Sequence, residues 1–274
     1  MTAREAIREV ASELQEAGCP SPRVDAEWLT AHVIGGTRTD LYAEDRPLRD
    51  DELLRLRSLV ERRRQREPLA YVLGEWGFRR LTLAVDPRVL IPRPETEILV
   101  ERCLELLEAI VQPRVLDIGV GSGAIALSIA DERPDARVVA TDSSPGALEV
   151  ADANRLRLDL DGRVELRLGH LLAGAEGLFD LVVSNPPYVA PEDLAGLEPE
   201  VRNEPRDALV GTGRQAEIAT AVGPVLRPGG ALVLEVGDGQ APAVEASLRG
   251  LGYVEVGSTP DLAGIDRVVA GRMP

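Results

Sequence analysis

Four consecutive residues, Asn185, Pro186, Pro187 and Tyr188, close the apolar run Phe179-Asp180-Leu181-Val182-Val183-Ser184. The Asn185 amide both donates and accepts, and the carbonyl of Pro186 still accepts although proline has no N–H to give. Two successive prolines hold the main chain stiffly, so these two acceptors can grip a single planar NH2 group. Tyr188 can supply a ring wall against a flat acceptor, with core packing as its plainer role. A second block, Leu116-Asp117-Ile118-Gly119-Val120-Gly121-Ser122-Gly123-Ala124, sets glycines where a strand turns into a helix. Glycines permit close backbone approach, and the start of the helix presents unpaired amides to a polar or anionic ligand.

The third glycine stands at 123, whereas a dinucleotide fingerprint needs it at 124, which is Ala. Nicotinamide binding loses weight. Asp142 follows the apolar Val138-Val139-Ala140, 19 residues after Gly123. Its carboxylate can accept from both hydroxyls of an adenosine ribose, which suits NAD or S-adenosylmethionine. Asp117, inside the first strand, can organise the glycine loop or hold the cationic end of a cofactor through water, and a structural cap is the alternative. Together the two blocks fit transfer of a methyl group from a sulfonium to nitrogen. Such a donor is already activated, so the protein must align sulfur, carbon and nitrogen rather than build a strong nucleophile.

Composition removes other chemistries. The 274-residue chain carries 31 basic residues against 46 acidic ones, for a net charge of -15, and every basic residue is Arg. Without Lys there is no Schiff base and no Walker A lysine. Cys19, Cys103, His32 and His170 are too few and too scattered for a metal site or a disulfide scaffold, so no metal is expected and the reducing cytoplasm fits best. The N-terminus is interrupted by charge from Arg4, and no apolar run approaches the roughly 20 residues of a membrane span. The acidic balance argues against stable nucleic-acid binding, although the run Arg62, Arg63, Arg64 and Arg66 can meet RNA or an acidic partner or simply form a solvated helix face.

The elements that must position these residues follow from periodicity. Helices are predicted over 2–17, with Thr2 and Glu5 as a capping box, from about 21 to Gly35-Gly36, with Trp28 and His32 packing on it, and over 51–67. They form a helical domain over residues 1–73. A β-hairpin connector over 74–94 precedes a helix from Glu95 to Ile110. From Val115 the rhythm becomes strand, turn and helix, with strands at 114–118, 136–141, 163–168, 179–184, 231–236, 252–257 and 265–271. This predicts an open, mostly parallel α/β sheet over 95–274 whose last strand, reached through a short polar turn, runs antiparallel.

Several separated motifs then agree. Gly74 and Phe78, Ile91-Pro92-Arg93-Pro94-Glu95-Thr96-Glu97, the glycine block, Asn185 to Val189, and Asp261-Leu262-Ala263-Gly264-Ile265-Asp266-Arg267 together resemble the HemK-type protein-(glutamine-N5) methyltransferases, over essentially the whole chain. The resemblance implies a Rossmann-like class I methyltransferase with a seven-stranded sheet and a small N-terminal helical domain. It implies methylation of the glutamine side-chain amide in the Gly-Gly-Gln motif of class 1 peptide chain release factors of bacteria, with S-adenosyl-L-methionine as donor and S-adenosyl-L-homocysteine as product. Asn185 and Pro186 would receive the glutamine NH2, with Pro187 and Tyr188 lining its slot. Gly119, Val120, Gly121, Ser122, Gly123 and Asp142 would bind cofactor, with Asp117 beneath and Asn185 at the seam.

The chain departs from the family at two places, with Val120 for a frequent Thr and His170-Leu171 for an acid and a large apolar residue beside adenine. Leu171 is left to cover the base by van der Waals contact. The resemblance implies that Arg93, between two prolines, positions substrate, with a domain hinge as the alternative, and Glu198, in the long 189–213 connection, can help close the groove or belong to a solvated acidic spacer. Glu235 is expected to brace the Asn-Pro-Pro-Tyr turn. The competing readings are an adenine N-methyltransferase of nucleic acid and a nonenzymatic module of translation.

Overall fold

In the computed structural model, which describes residues 1–43 and 45–274, Thr2 Oγ1 accepts from the Glu5 amide at 3.3 Å and Glu5 Oε2 from the Thr2 amide at 2.8 Å. This is the capping box that starts α1 (Ala3–Glu16). The helices α2 (Pro22–Ile34), α3 (Asp40–Ala43), α4 (Asp50–Arg64) and α5 (Leu69–Leu73) follow. They belong to one compact unit, residues 1–75, which also takes in residues 197–203 from much later in the chain.

Two expectations about this unit are corrected. Trp28 and His32 were placed on the packed face of α2, yet Trp28 is exposed with the Arg38 guanidinium 5.7 Å above its ring, and His32 is also exposed. The buried face carries Asp25 and Glu27 instead. Burial of a carboxylate is tolerable only when a partner compensates its lost hydration, and here Arg63 meets Asp25 at 2.8 Å while Arg38 and Arg23 meet Glu27. The arginine run is likewise no free basic face. Arg63 is only 3 % exposed and also reaches Glu200 at 2.8 Å, Arg66 pairs with Glu200 at 2.6 Å, Arg62 with Glu67 and Arg64 with Glu61. The acidic partner is the chain itself.

The second unit begins in the hairpin of β1 (Glu75–Phe78) and β2 (Leu81–Ala84) and continues through α6 (Pro94–Leu107), β3 (Arg114–Ile118), α7 (Ala124–Glu132), β4 (Arg137–Asp142), α8 (Pro145–Arg157), β5 (Val164–Leu168) and β6 (Phe179–Ser184). After β6 come the short α9 (Pro199–Arg202), which lies within the first unit, and α10 (Arg206–Leu209), then α11 (Arg214–Val222), β7 (Leu226–Glu235), α12 (Ala241–Gly250), β8 (Val254–Pro260) and β9 (Asp266–Arg272).

The seven strands run in the order β5-β4-β3-β6-β7-β9-β8. Pairings from β5 through β7 are parallel, and β9 is antiparallel to both β7 and β8. The last strand thus inserts between two that run the other way, which its short connection from β8 allows. Successive residues face opposite layers. Val115, Leu181, Val183 and Val233 join α6 and α7 in one core, while Leu116, Val182, Leu232 and Leu234 join α11 and α12 in the other. Helix cover on both faces is what makes β6 buried at every position. Asn154, fully buried on α8, accepts from Ala84 N at 2.7 Å and donates to the carbonyls of Ala84 and Ser122, fastening the hairpin to the glycine loop. Among the described residues no helix is long and apolar enough to cross a membrane.

Candidate active site

From β3 the sheet extends one way to β4 and β5 and the other way to β6 and β7. Such a switch point opens a crevice beyond the carboxyl ends of the strands. Here it is a cavity of about 660 Å³, within the size range of small-molecule sites. Gly119, Val120, Gly121 and Ser122 line it after β3, Asp142 after β4, His170 and Leu171 after β5, Asn185, Pro186 and Pro187 after β6, and Arg93 and Thr96 at the entry to α6. The two motifs read from sequence therefore meet at one cavity.

The glycine loop is organised from below. The Thr141 carbonyl accepts from both Gly119 N at 2.8 Å and Val120 N at 3.0 Å, and Gly121 N donates to Asp142 Oδ2 at 3.0 Å. These three loop amides are taken by β4, because parallel β3 and β4 bring Thr141 beside Ile118. Asp142 Oδ1 accepts from Ser144 N at 2.9 Å, so both its oxygens are aimed while each keeps a free lone pair. Gly123 does not line the cavity. It caps α7 at φ 91°, where an added Cβ would stand 2.6 Å from Leu127 Cδ1. Gly123→Ala is expected to cost about 1–3 kcal/mol of stability from the left-handed backbone alone, measured by denaturant unfolding followed through the sheet unit.

Asp117 also lies outside the lining, fully buried beneath the loop. Its Oδ2 accepts from Ala126 N at 3.1 Å, whereas Oδ1 has no partner among the described residues. Burial pushes this carboxyl up to about 7, the Ala126 amide opposes the rise, and the Asp142 carboxylate adds to it. A buried oxygen without a donor is the kind of group that a cationic or N–H-bearing ligand end would satisfy, directly or through water. An orphaned acid buried beneath the loop and an aimed carboxylate on the cavity lining fit an aminoacyl nucleoside cofactor. Leu171 sits at φ 53°, uncommon for a side chain with a Cβ, with its carbonyl accepting from Thr141 Oγ1 at 2.9 Å.

On the β6 side, Asn185 Nδ2 donates to Thr96 Oγ1 at 3.3 Å, and Thr96 Oγ1 donates to Glu235 Oε2 at 2.7 Å. Tyr188 is corrected from a wall to a brace: it is not among the lining residues, and its hydroxyl donates to Glu235 Oε1 at 3.4 Å. Burial, with the Glu235 carboxylate nearby, pushes its phenol up to about 12. Arg93 lines the cavity, but its Nη2 is held by Glu204 Oε1, whose other oxygen accepts from Ile91 N at 3.0 Å. Glu198 is not among the lining residues. It belongs to the first unit, largely exposed, with Arg66 Nη2 3.4 Å away.

Sequence reading passed over Thr96, between two glutamates, and Glu204, in an acidic loop. The signal for both was available: Thr96 is in the Ile-Pro-Arg-Pro block, and Glu204 precedes a proline in the connection after β6.

Comparison with known proteins bears on both units. Residues 5–74 match the PrmC N-terminal domain and residues 95–219 the methyltransferase small domain. Release factor glutamine methyltransferases of Geobacter sulfurreducens and Deinococcus radiodurans are 43% and 42% identical to this chain, covering 95% and 99% of it and 93% and 99% of themselves. That of Salmonella typhimurium is 41% identical over 97% of each chain. The chain belongs to the release factor glutamine methyltransferase family. Membership of this family accounts for the helical unit as well as the sheet, which the fold alone does not. A methyltransferase structure from Pyrococcus furiosus, with TM-score 0.50 and 20% identity, covers 69% of this chain and 87% of its own, and shares the fold only.

Proposed function

We propose that this protein transfers a methyl group from S-adenosyl-L-methionine to the side-chain amide nitrogen of the glutamine in the Gly-Gly-Gln loop of class 1 peptide chain release factors of bacteria. The observation that carries the reading is Asn185-Pro186 at the edge of the same cavity as the glycine loop, in a chain similar along nearly its full length to release factor glutamine methyltransferases. Among the described residues no donor reaches the Pro186 carbonyl or Asn185 Oδ1, so both are open to the two N–H bonds of one carboxamide. When bound, S-adenosylmethionine supplies a methyl group on a positively charged sulfur and leaves as S-adenosylhomocysteine. The chain's part is alignment: acceptance of both N–H bonds favours charge developing on the amide nitrogen, and the stiff prolines fix where that nitrogen points. Asp142 would hold the ribose and Asp117 the cationic end of the donor.

A protein acceptor also agrees with the charge pattern, because Arg62, Arg63, Arg64 and Arg66 are engaged by carboxylates of their own unit rather than free for a phosphate backbone. A release-factor acceptor fits an enzyme of the cytoplasm. Reaction of the purified protein and donor with a release factor, read by intact mass and peptide mapping, should show one methyl group on the glutamine. Label in nucleic acid with none in the release factor would favour an adenine acceptor instead. Asp142→Ala is expected to weaken donor binding by about 1.5–3 kcal/mol, the worth of hydrogen bonds to a charged group. Unchanged calorimetric affinity would remove Asp142 from the ribose site.

A further inference from the structure

Asn185 helps an incoming NH2 group in only one of its two orientations, with Oδ1 toward the acceptor and Nδ2 away. A half-turn of the amide exchanges them and sets donor against donor. The side chains behind Asn185 decide between the two. Glu235, 1 % exposed, has no proton to give when ionised, so Thr96 must donate its single hydrogen to Glu235 Oε2 at 2.7 Å. The Thr96 oxygen can then only accept from the amide 3.3 Å away, which requires Nδ2 to face it. Tyr188 donates to the other Glu235 oxygen and leaves the carboxylate no reason to turn.

We propose that Glu235, acting through Thr96, is the positioning residue that fixes the polarity of the Asn185 amide and so restricts the acceptor to a group presenting N–H bonds. The inference rests on the reading of Asn185 as the acceptor-binding side chain. It has a consequence in pH. Burial pushes the Glu235 carboxyl up to about 7; the Thr96 and Tyr188 hydroxyls oppose this, Glu95 on α6 adds to it and Arg267 on β9 opposes it. Once protonated, Glu235 can donate to Thr96 Oγ1, which frees the hydroxyl hydrogen to point at Asn185 and lets the amide turn over. Turnover should therefore fall as pH drops through about 7.

The test measures kcat on a release factor, with donor and acceptor saturating, for wild type, Thr96→Val, Thr96→Ser and Glu235→Gln. Thr96→Val and Glu235→Gln should lose about tenfold in kcat, the equivalent of one hydrogen bond of alignment, with donor affinity by calorimetry unchanged. Thr96→Ser, which keeps the hydroxyl, should retain most of the activity. The acid limb of the wild-type profile should be missing from Glu235→Gln, which separates it from any limb due to Asp117. Wild-type kcat in Thr96→Val, equal losses in the valine and serine variants, or an unaltered acid limb in Glu235→Gln would each overturn the proposal. If Thr96→Val does not fold, the Glu235→Gln profile decides alone. Failure of the wild type itself on release factors would instead sink the acceptor assignment.

Discussion

Asn185→Ala is expected to lower kcat on a release factor by about 10²–10³-fold, the range found when one preorganised polar contact to a reacting group is removed, while donor affinity stays close to wild type. The asymmetry follows from position. Asn185 follows β6 directly with Nδ2 held by Thr96, so truncation removes Oδ1 from the acceptor side without disturbing Asp142 or the loop it anchors. The glutamine would then be gripped by the Pro186 carbonyl alone. An amide nitrogen is a weak nucleophile, and a small rotation away from the transferable carbon reduces the reactive population. Single-turnover rates with both substrates saturating check the prediction, because an interaction made only on the way to the transition state appears in kcat rather than in binding. A mutant with the wild-type rate would dismiss Asn185 from catalysis, and one with lost donor affinity would move it to the cofactor.

Arg63→Ala should destabilise the helical unit by about 3–5 kcal/mol, the cost of leaving the buried Asp25 carboxylate without its partner. Arg63 is 3 % exposed between Asp25 at 2.8 Å and Glu200 at 2.8 Å, and Asp25 is itself 5 % exposed. Burial pushes the Asp25 carboxyl up, against the pull of Arg63. For Glu200, burial also raises the carboxyl, but the Arg66 and Arg63 guanidinia outweigh it and hold it down at about 2. Loss of Arg63 frees Asp25 to protonate and loosens residues 197–203, which belong to this unit. Hydrogen exchange in α2 and α4 reads the change without assuming that both units unfold together. Simultaneous Asp25→Leu, Arg63→Met and Glu200→Leu should cost far less than the single change, since no charge is then left buried. Protection of Arg63→Ala equal to wild type would show that the network contributes nothing.

This network marks where sequence reading stopped. Periodicity placed α2 but turned it the wrong way, because a helix whose buried face carries Asp25 and Glu27 looks like one whose acids face water. The arginines of α4 read as a solvated or nucleic-acid-facing run for the same reason. The partner of Arg63, Glu200, lies 137 residues away, and no local pattern announces it.

The sheet was legible because each strand is short, apolar and followed by a turn, and because β8 and β9 are too close in sequence for a crossover. The placement of the glycine loop, Asp142 and Asn185-Pro186 at one cavity was legible because it follows from backbone conformation and residue type at fixed local spacing. What the sequence by itself determined is thus the fold, the order of the elements and the two motifs that meet at the switch point. Tertiary structure alone decided which polar side chains touch. It took Tyr188 out of the cavity wall, tied Arg93 to Glu204, and put Thr96 and Glu235 behind Asn185. A hydrogen bond depends on approach to about 3 Å between groups that can be distant in the chain, and that approach is set by packing rather than by any local preference.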